Sequence, residues 1–204
     1  DGIATHTIDT NVVEGSATLN NDGSYTFDPG DDFQDLAEGA TREIFFTYYA
    51  TDPHGAQSDT KTITITVTGV NDVPEAQNDA ILADEDGDVV NGMVTSTDVD
   101  NGSATTYTLV DDIPAGQGSL VFNTATGDYS FDPGTDFQEL AQDQVQDVTF
   151  TYKATDDLAQ DSNIATVTIT VTGVNDLPTA DDGVNAATED GDPVSGSVDT
   201  NDVD

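Results

Sequence analysis

The chain has 204 residues, enough for one or two domains. It carries no Cys, and its 41 Asp plus Glu against 3 Lys plus Arg give a formal net charge of −38. These figures exclude disulfide staples and thiolate metal sites, and they make nucleic acid and anionic membrane poor partners.

In chain order, "ATLNNDGSYTFDP" (Ala17 to Pro29) reads as a β-hairpin. "DFQDLAEG" follows, predicting one helical turn with Phe33 and Leu36 on one face. "IFFTYYA" (Ile44 to Ala50) and "TKTITITVTG" (Thr60 to Gly69) predict strands, the second from its strict alternation of Thr with Ile and Val. The same order then recurs. "SLVFNTATGDYSFDP" (Ser119 to Pro133) reads as a hairpin with Thr126-Gly127-Asp128 near its turn, and "DFQELAQD" as a turn carrying Phe137 and Leu140. "VTFTYKA" (Val148 to Ala154) and "IATVTITVTG" (Ile164 to Gly173) are again strands. No long helix and no apolar run of about 18 residues is present, so membrane insertion is not expected. Many short strands at regular spacing predict an all-β chain of antiparallel Greek-key sandwiches. The alternations Tyr25/Phe27 and Tyr129/Phe131 are candidates for its core.

Tyr129 lies 104 positions after Tyr25, and Pro178 lies as far after Pro74. No gap is needed between the copies from residue 25 onward, so the repeat is one small domain of about 104 residues. The end "NDVD" (Asn201 to Asp204) joined to the start "DGIATHT" regenerates "TDVDNGSATTYT" (Thr97 to Thr108). Residues 74–177 therefore read as a whole repeat, 1–73 as the later part of one, and 178–204 as the beginning of the next. Either the chain is a stretch of a tandem array, or 178–204 completes residues 1–73 of a neighbouring subunit.

The strand ends gather acids. Ala50-Thr51-Asp52 and Ala154-Thr155-Asp156 precede the junctions, and Asn71-Asp72 and Asn175-Asp176 stand in them. "EDGD" follows at Glu85 to Asp88 and Glu189 to Asp192; then comes "DVD", with Asp98 and Asp100, then Asp202 and Asp204. Asp and Asn often cap turns through their own backbone. A full set recurring with almost no basic neighbours instead points to a hard cation. Ca²⁺ takes about six to eight oxygen ligands in flexible geometry, whereas Zn²⁺ needs His or Cys and only His6 and His54 are available. A solvated acidic surface adapted to high salt is the competing account.

The order "YYATD…GAQSDTKTITITVTGVNDVPEA", with "Y-x-F-D-P" and "D-V-D", resembles the bacterial cadherin-like and VCBS-type tandem repeats of large secreted, RTX-type adhesins. The resemblance covers essentially the entire chain. It implies β-sandwiches in tandem with Ca²⁺ at the joints, on proteins that tether cells or build biofilm outside the cell. Carried over by position, it implies Asp52, Asn71, Asp72, Glu85, Asp86, Asp98 and Asp100 as ligands at one joint. At the other it implies Asp156, Asn175, Asp176, Glu189, Asp190, Asp202 and Asp204. The junctions depart from the cadherin pattern: Gly69 and Gly173 stand for its leading Asp, and Val73 and Leu177 for its second Asn. One or two ions per joint is the corresponding expectation.

The expected function is thus a non-catalytic, calcium-stiffened rod whose partners are neighbouring repeats or identical subunits end to end. The chain shows no nucleophile–base order and no phosphate loop, and each acidic cluster occurs twice, unlike an active site. Two alternatives stand beside the rod. One is a filament protomer assembled by strand complementation between subunits. The other is a calcium-dependent module that binds ice, or carbohydrate of a cell surface or matrix. The Asn101-Gly102-Ser103 sequon is a weak signal, since chance matches are common.

Overall fold

The structure, a computed structural model, describes residues 4–100, 102 and 105–201. Among these residues every regular element is a β-strand, and no helix is long and apolar enough to cross a membrane. The chain forms two compact units.

The first unit takes the chain up to Glu75, together with Thr97–Thr105 and Asp156–Asp161. Its strands are β1 (Thr5–Thr10), β2 (Ser16–Leu19), β3 (Tyr25–Asp28), β4 (Thr41–Thr51) and β5 (Lys61–Thr68). They pair as a β1-β4-β5 sheet and a β2-β3 hairpin. The alternation in β5 works as expected: Ile63, Ile65 and Val67 turn inward while Thr62, Thr64 and Thr66 face water. Phe33, Leu36 and Ile44 form the core, with Phe27, Ile65 and Val67 packed against them. Arg42 bridges Glu14 at 2.8 Å and Asp35 at 2.7 Å, with its guanidinium 5.8 Å from the ring centre of Phe33.

The second unit takes Ala76–Ser96, Thr106–Thr155 and the chain from Ser162. It contains β7 (Asp79–Asp84), β8 (Val90–Met93), β10 (Thr106–Asp111), β11 (Ser119–Phe122) and β12 (Asp128–Asp132). The long strands β13 (Val145–Thr155) and β14 (Asp161–Thr172) complete it, and the short β6 (Glu75–Ala76) and β9 (Ser96–Thr97) pair with each other. A four-stranded sheet, β10-β13-β14-β7, accompanies a three-stranded sheet, β11-β12-β8. Strand β7 runs parallel to β14, with Ile81 opposite Ile169 and Asp84 opposite Thr172. Phe150 meets Tyr129 edge-on at 5.0 Å and Phe122 at 6.1 Å, inside a core that includes Phe131, Tyr152, Val167, Ile169 and Val171. Burying each large side chain contributes about 1.5–3 kcal/mol. The Tyr152 hydroxyl is satisfied against the carbonyls of Gln77 and Thr95.

Two β-bulges repeat between the units. The β1–β4 register shifts between Ile8 and Thr10, and the β10–β13 register shifts between Leu109 and Asp111. The predicted helical turns are single turns only. Leu36 N donates to Phe33 O at 3.0 Å and Leu140 N to Phe137 O at 2.9 Å. They stop because the next amides pair elsewhere: Gly39 N donates to Gly69 O and Asp143 N to Gly173 O. At the far end of the chain, β15 (Thr179–Ala180) pairs with β16 (Thr200–Asn201).

Candidate functional site

Each junction begins where a strand end is pinned against a turn. Gly69 N donates to Ala40 O at 2.8 Å, and Gly173 N donates to Gln144 O at 2.7 Å. A Cβ on Gly69 would stand 2.1 Å from Leu36 O, and one on Gly173 would stand 2.3 Å from Ala141 O. Backbone oxygens this close leave no room for a side chain, which explains why both junctions carry Gly where the cadherin pattern has Asp.

Beyond Gly69 the chain meets two loops, and all the residues concerned belong to the first unit. Asn71 Nδ2 donates to Asp156 Oδ2 at 2.8 Å. Asp72 N donates to Asp100 Oδ2 at 2.9 Å, and Asp98 Oδ1 accepts from Asp100 N at 3.0 Å. Asp156 Oδ1 also accepts from the amides of Leu158 and Gln160. The Asn71 amide, with those backbone donors, holds the Asp156 carboxyl below its ordinary range. Glu38, which sequence reasoning missed, accepts from Asn71 N at 3.0 Å. A cavity of about 190 Å³ opens here, lined by Glu38, Asn71 and Asp100 among others.

A second group lies in the second unit. Glu85 Oε1 accepts from Val174 N at 2.6 Å, and Glu85 N donates to Thr172 O at 3.0 Å. Asp86 accepts from Gln138 Nε2 at 2.9 Å. Asn175 Nδ2 donates to the Asp176 carbonyl at 2.6 Å.

The structure therefore groups the acids differently from their order in the sequence. Glu85 and Asp86 were expected with Asn71 and Asp72, but parallel β7 carries them along β14 to the junction at Val174. Asp156 was expected with Asn175 and Asp176, but it joins Asn71, Asp72, Asp98 and Asp100. The reason is the antiparallel β10–β13 pair, in which Thr106 faces Thr155. The segments just before β10 and just after β13 must then emerge at one end of the sheet. Asp52 is exposed, with Oδ1 accepting from His54 N and Ala56 N in a turn. Glu189 and Asp190 are exposed. Asp202 and Asp204 lie outside the described residues, as do Asn101 and Ser103 of the sequon.

Among the described residues, no three or more His, Asp or Glu side chains stand close enough together to hold a metal ion. The carboxylates lie instead on backbone and amide donors, an arrangement that keeps like charges apart. Both groups nevertheless contain carboxylate oxygens buried without a donor: Asp100 Oδ1 in the first, Glu85 Oε2 and Asp176 Oδ2 in the second. Asp100 is 6% exposed and Glu85 only 1%. An unpaired buried carboxylate oxygen is costly, and a hard cation is a partner that satisfies several of them together. Carboxylates and an Asn side chain are donors such an ion takes, so the residue types present fit Ca²⁺.

A family model described as "Bacterial cadherin-like domain" matches residues 71–173. This chain belongs to the bacterial cadherin-like domain family. The part of the cadherin-like chain at residues 1–66 also matches a model described as "Bacterial Ig domain". Its fold is shared with solved cadherins. Human mucin-like protocadherin EC1-2 superposes with a TM-score of 0.52 at 15% identity, covering 84% of this chain and 85% of that one. Drosophila N-cadherin EC1-4 gives a TM-score of 0.52 at 18% identity, covering 87% of this chain and 44% of that one. No curated protein matches significantly. Families of the cadherin-like and Ig-like kind are typically non-enzymatic structural modules of extracellular proteins.

Proposed function

We propose that this cadherin-like chain is a non-catalytic structural module of an extracellular adhesin or bacterial surface filament, stiffened by Ca²⁺ at its junctions into a rod for cell adhesion or biofilm. The observation that carries the reading is the pair of buried, donorless carboxylate oxygens, Asp100 Oδ1 and Glu85 Oε2, one beside each junction. Asn71, Asp72, Asp98, Asp100 and Asp156 would hold an ion at the first junction. Glu85, Asn175 and Asp176 would contribute at the second. What the ion supplies is positive charge where carboxylates otherwise repel one another. The protein's own part is to aim the ligands: Gly69 and Gly173 fix where each junction leaves its strand, and Pro74 and Pro178 restrict the residue before them to extended backbone. The loops bearing Asp100 and Asp156 lead directly into β10 and β14. An ion bound to them and to Asn71-Asp72 would therefore restrain the chain on both sides of the junction.

The test is to titrate Ca²⁺ into chelator-treated protein while following small-angle scattering and thermal unfolding together. Elongation with a large rise in melting temperature is expected. An unchanged scattering curve and melting temperature would overturn the proposal and leave the acids as a salt-adapted surface.

A further inference from the structure

The chain first enters the second unit at Ala76 and leaves β14 at Thr172. The strands next to these two points, β7 and β14, are neighbours in one sheet. They run parallel over six matched positions, Asp79–Asp84 against Val167–Thr172. That direction decides how the pair meets a pull along the chain. Tension arrives at the N-terminal end of β7 and at the C-terminal end of β14. In a parallel pair these are opposite ends, so the strands are drawn past each other and every bond between them is loaded at once. An antiparallel pair would be pulled at one shared end and would open bond by bond.

Side chains extend the pairing beyond both ends of the ladder. Before β7, Asn163 stands in for a strand: its Oδ1 accepts from Ala76 N at 2.9 Å and its Nδ2 donates to Ala76 O at 3.0 Å. Asn78 Oδ1 accepts from Thr166 N at 2.8 Å. The Tyr152 hydroxyl lies on the carbonyls of Gln77 and Thr95, and Gln77 N donates to Thr95 O at 3.0 Å. After β7, Glu85 N donates to Thr172 O at 3.0 Å, and Glu85 Oε1 accepts from Val174 N at 2.6 Å. Ala83, Val167, Ile169 and Val171 bury the inner side of the pair. Bonds thus fasten the segment from Ala76 to Glu85 along its whole length.

We infer that the β7–β14 pair, with Asn163 and Asn78 at one end and Glu85 at the other, is a shear clamp that lets this unit bear tension along the chain. This is a different task from stiffening a junction with a cation. Stiffness at a junction resists bending; the clamp resists extension within one unit. Its strength is kinetic, because forced unfolding is governed by the barrier to opening rather than by equilibrium stability. Loading the bonds together places all of them in that barrier. None of them needs an ion, so the clamp stands or fails apart from the Ca²⁺ reading. Asn163 has the narrowest requirement, since its amide must both accept from Ala76 and donate to it. The residue 104 positions earlier is Asp59, and an ionised carboxylate can only accept.

The chain has no Cys, so handles for single-molecule stretching can be attached at chosen thiols in the full chain. Val73 and Leu177 are exposed and bracket the clamp. A variant with Val73→Cys and Leu177→Cys pulls the pair in shear. A variant with Val73→Cys and Leu158→Cys pulls the same pair open from its Ala76 end, because exposed Leu158 shortly precedes β14. Both are stretched at one loading rate in chelator. The shear geometry should unfold the unit at a force several-fold above the peeling geometry, releasing residues 74–177 in one step. Asn163→Asp keeps the acceptor for Ala76 N and loses the donor to Ala76 O, so it should lower the shear force; an unchanged force would take Asn163 out of the clamp. Equal forces in the two geometries would overturn the inference. So would a shear trace that begins with low-force release of residues 74–85 alone, because β7 would then be peeling from β14.

Discussion

The side-chain amide of Asn71 donates to the carboxylate of Asp156 at 2.8 Å, although 85 positions separate them in the chain. This contact ties the junction to the loop after β13. It is also the largest cause of the lowered Asp156 pKa. A carboxyl held below its ordinary value stabilises the folded state above the unfolded pKa of about 3.9, and that stability is lost as pH falls through the folded value. Asn71→Ala should therefore raise the Asp156 pKa and reduce stability at neutral pH. Part of the shift should remain, because the amides of Leu158 and Gln160 still donate. A carboxyl-carbon NMR titration of calcium-free protein reads this directly. An unmoved Asp156 titration would deny the contact its role.

Glu85→Gln separates the cost of a buried charge from its use. Gln keeps an acceptor for Val174 N and removes a negative charge from a site that is 1% exposed. In chelator the variant should melt at or above the parent, because an unpaired buried charge costs several kcal/mol. In saturating Ca²⁺ it should melt below the parent, because one ligand charge is gone. Melting curves that keep the same order in both buffers would remove Glu85 from any cation site.

Gly173→Asp restores the residue that the cadherin pattern places at the head of the junction, and it should nonetheless destabilise. The new Cβ would meet Ala141 O at 2.3 Å and Leu140 O at 2.7 Å, and backbone cannot swing aside as a side chain end can. The cost is about 1–3 kcal/mol or more, read as a lowered denaturation midpoint. Gly183→Asp makes the control. Nothing lies within 4 Å of its Cβ position, so its effect should stay within about 0.5 kcal/mol.

The strands were legible because β-branched residues alternate at period two, as in β5 and β14, and because the aromatic pairs recur at a fixed offset. The site was legible only as a set of residue types. Alternation says which face a residue takes but carries no strand direction. Nothing in "DAILAD" announces that β7 runs parallel to β14 and delivers Glu85 to Val174. Likewise Asp100 and Asp156 both reach the Asn71-Asp72 junction because β10 and β13 pair antiparallel with Thr106 opposite Thr155. Glu38 carried no signal at all. It follows a core turn, its counterpart 104 positions on is Gln142, and only the fold brings it to Asn71 N.

Tyr129 gives the last prediction, at the alkaline end. Burial, and then the nearby charge of Asp79, push its hydroxyl up to about 12 from the model-compound value of 10.0. The unfolded chain releases this proton near pH 10, before the folded chain does. Stability from this source is therefore complete below about pH 10 and is lost as pH rises toward about 12. Tyr152 is also raised, chiefly by burial, so Tyr129→Phe should flatten the alkaline loss of stability without abolishing it. Asp79→Asn should lower the Tyr129 value only part of the way, because burial is the larger cause. Tyrosinate absorbance followed alongside the denaturation midpoint from about pH 9 to about 12 reads both effects. A Tyr129 that ionises with the exposed tyrosines would show that the β8–β12 face opens to water before the rest of the core.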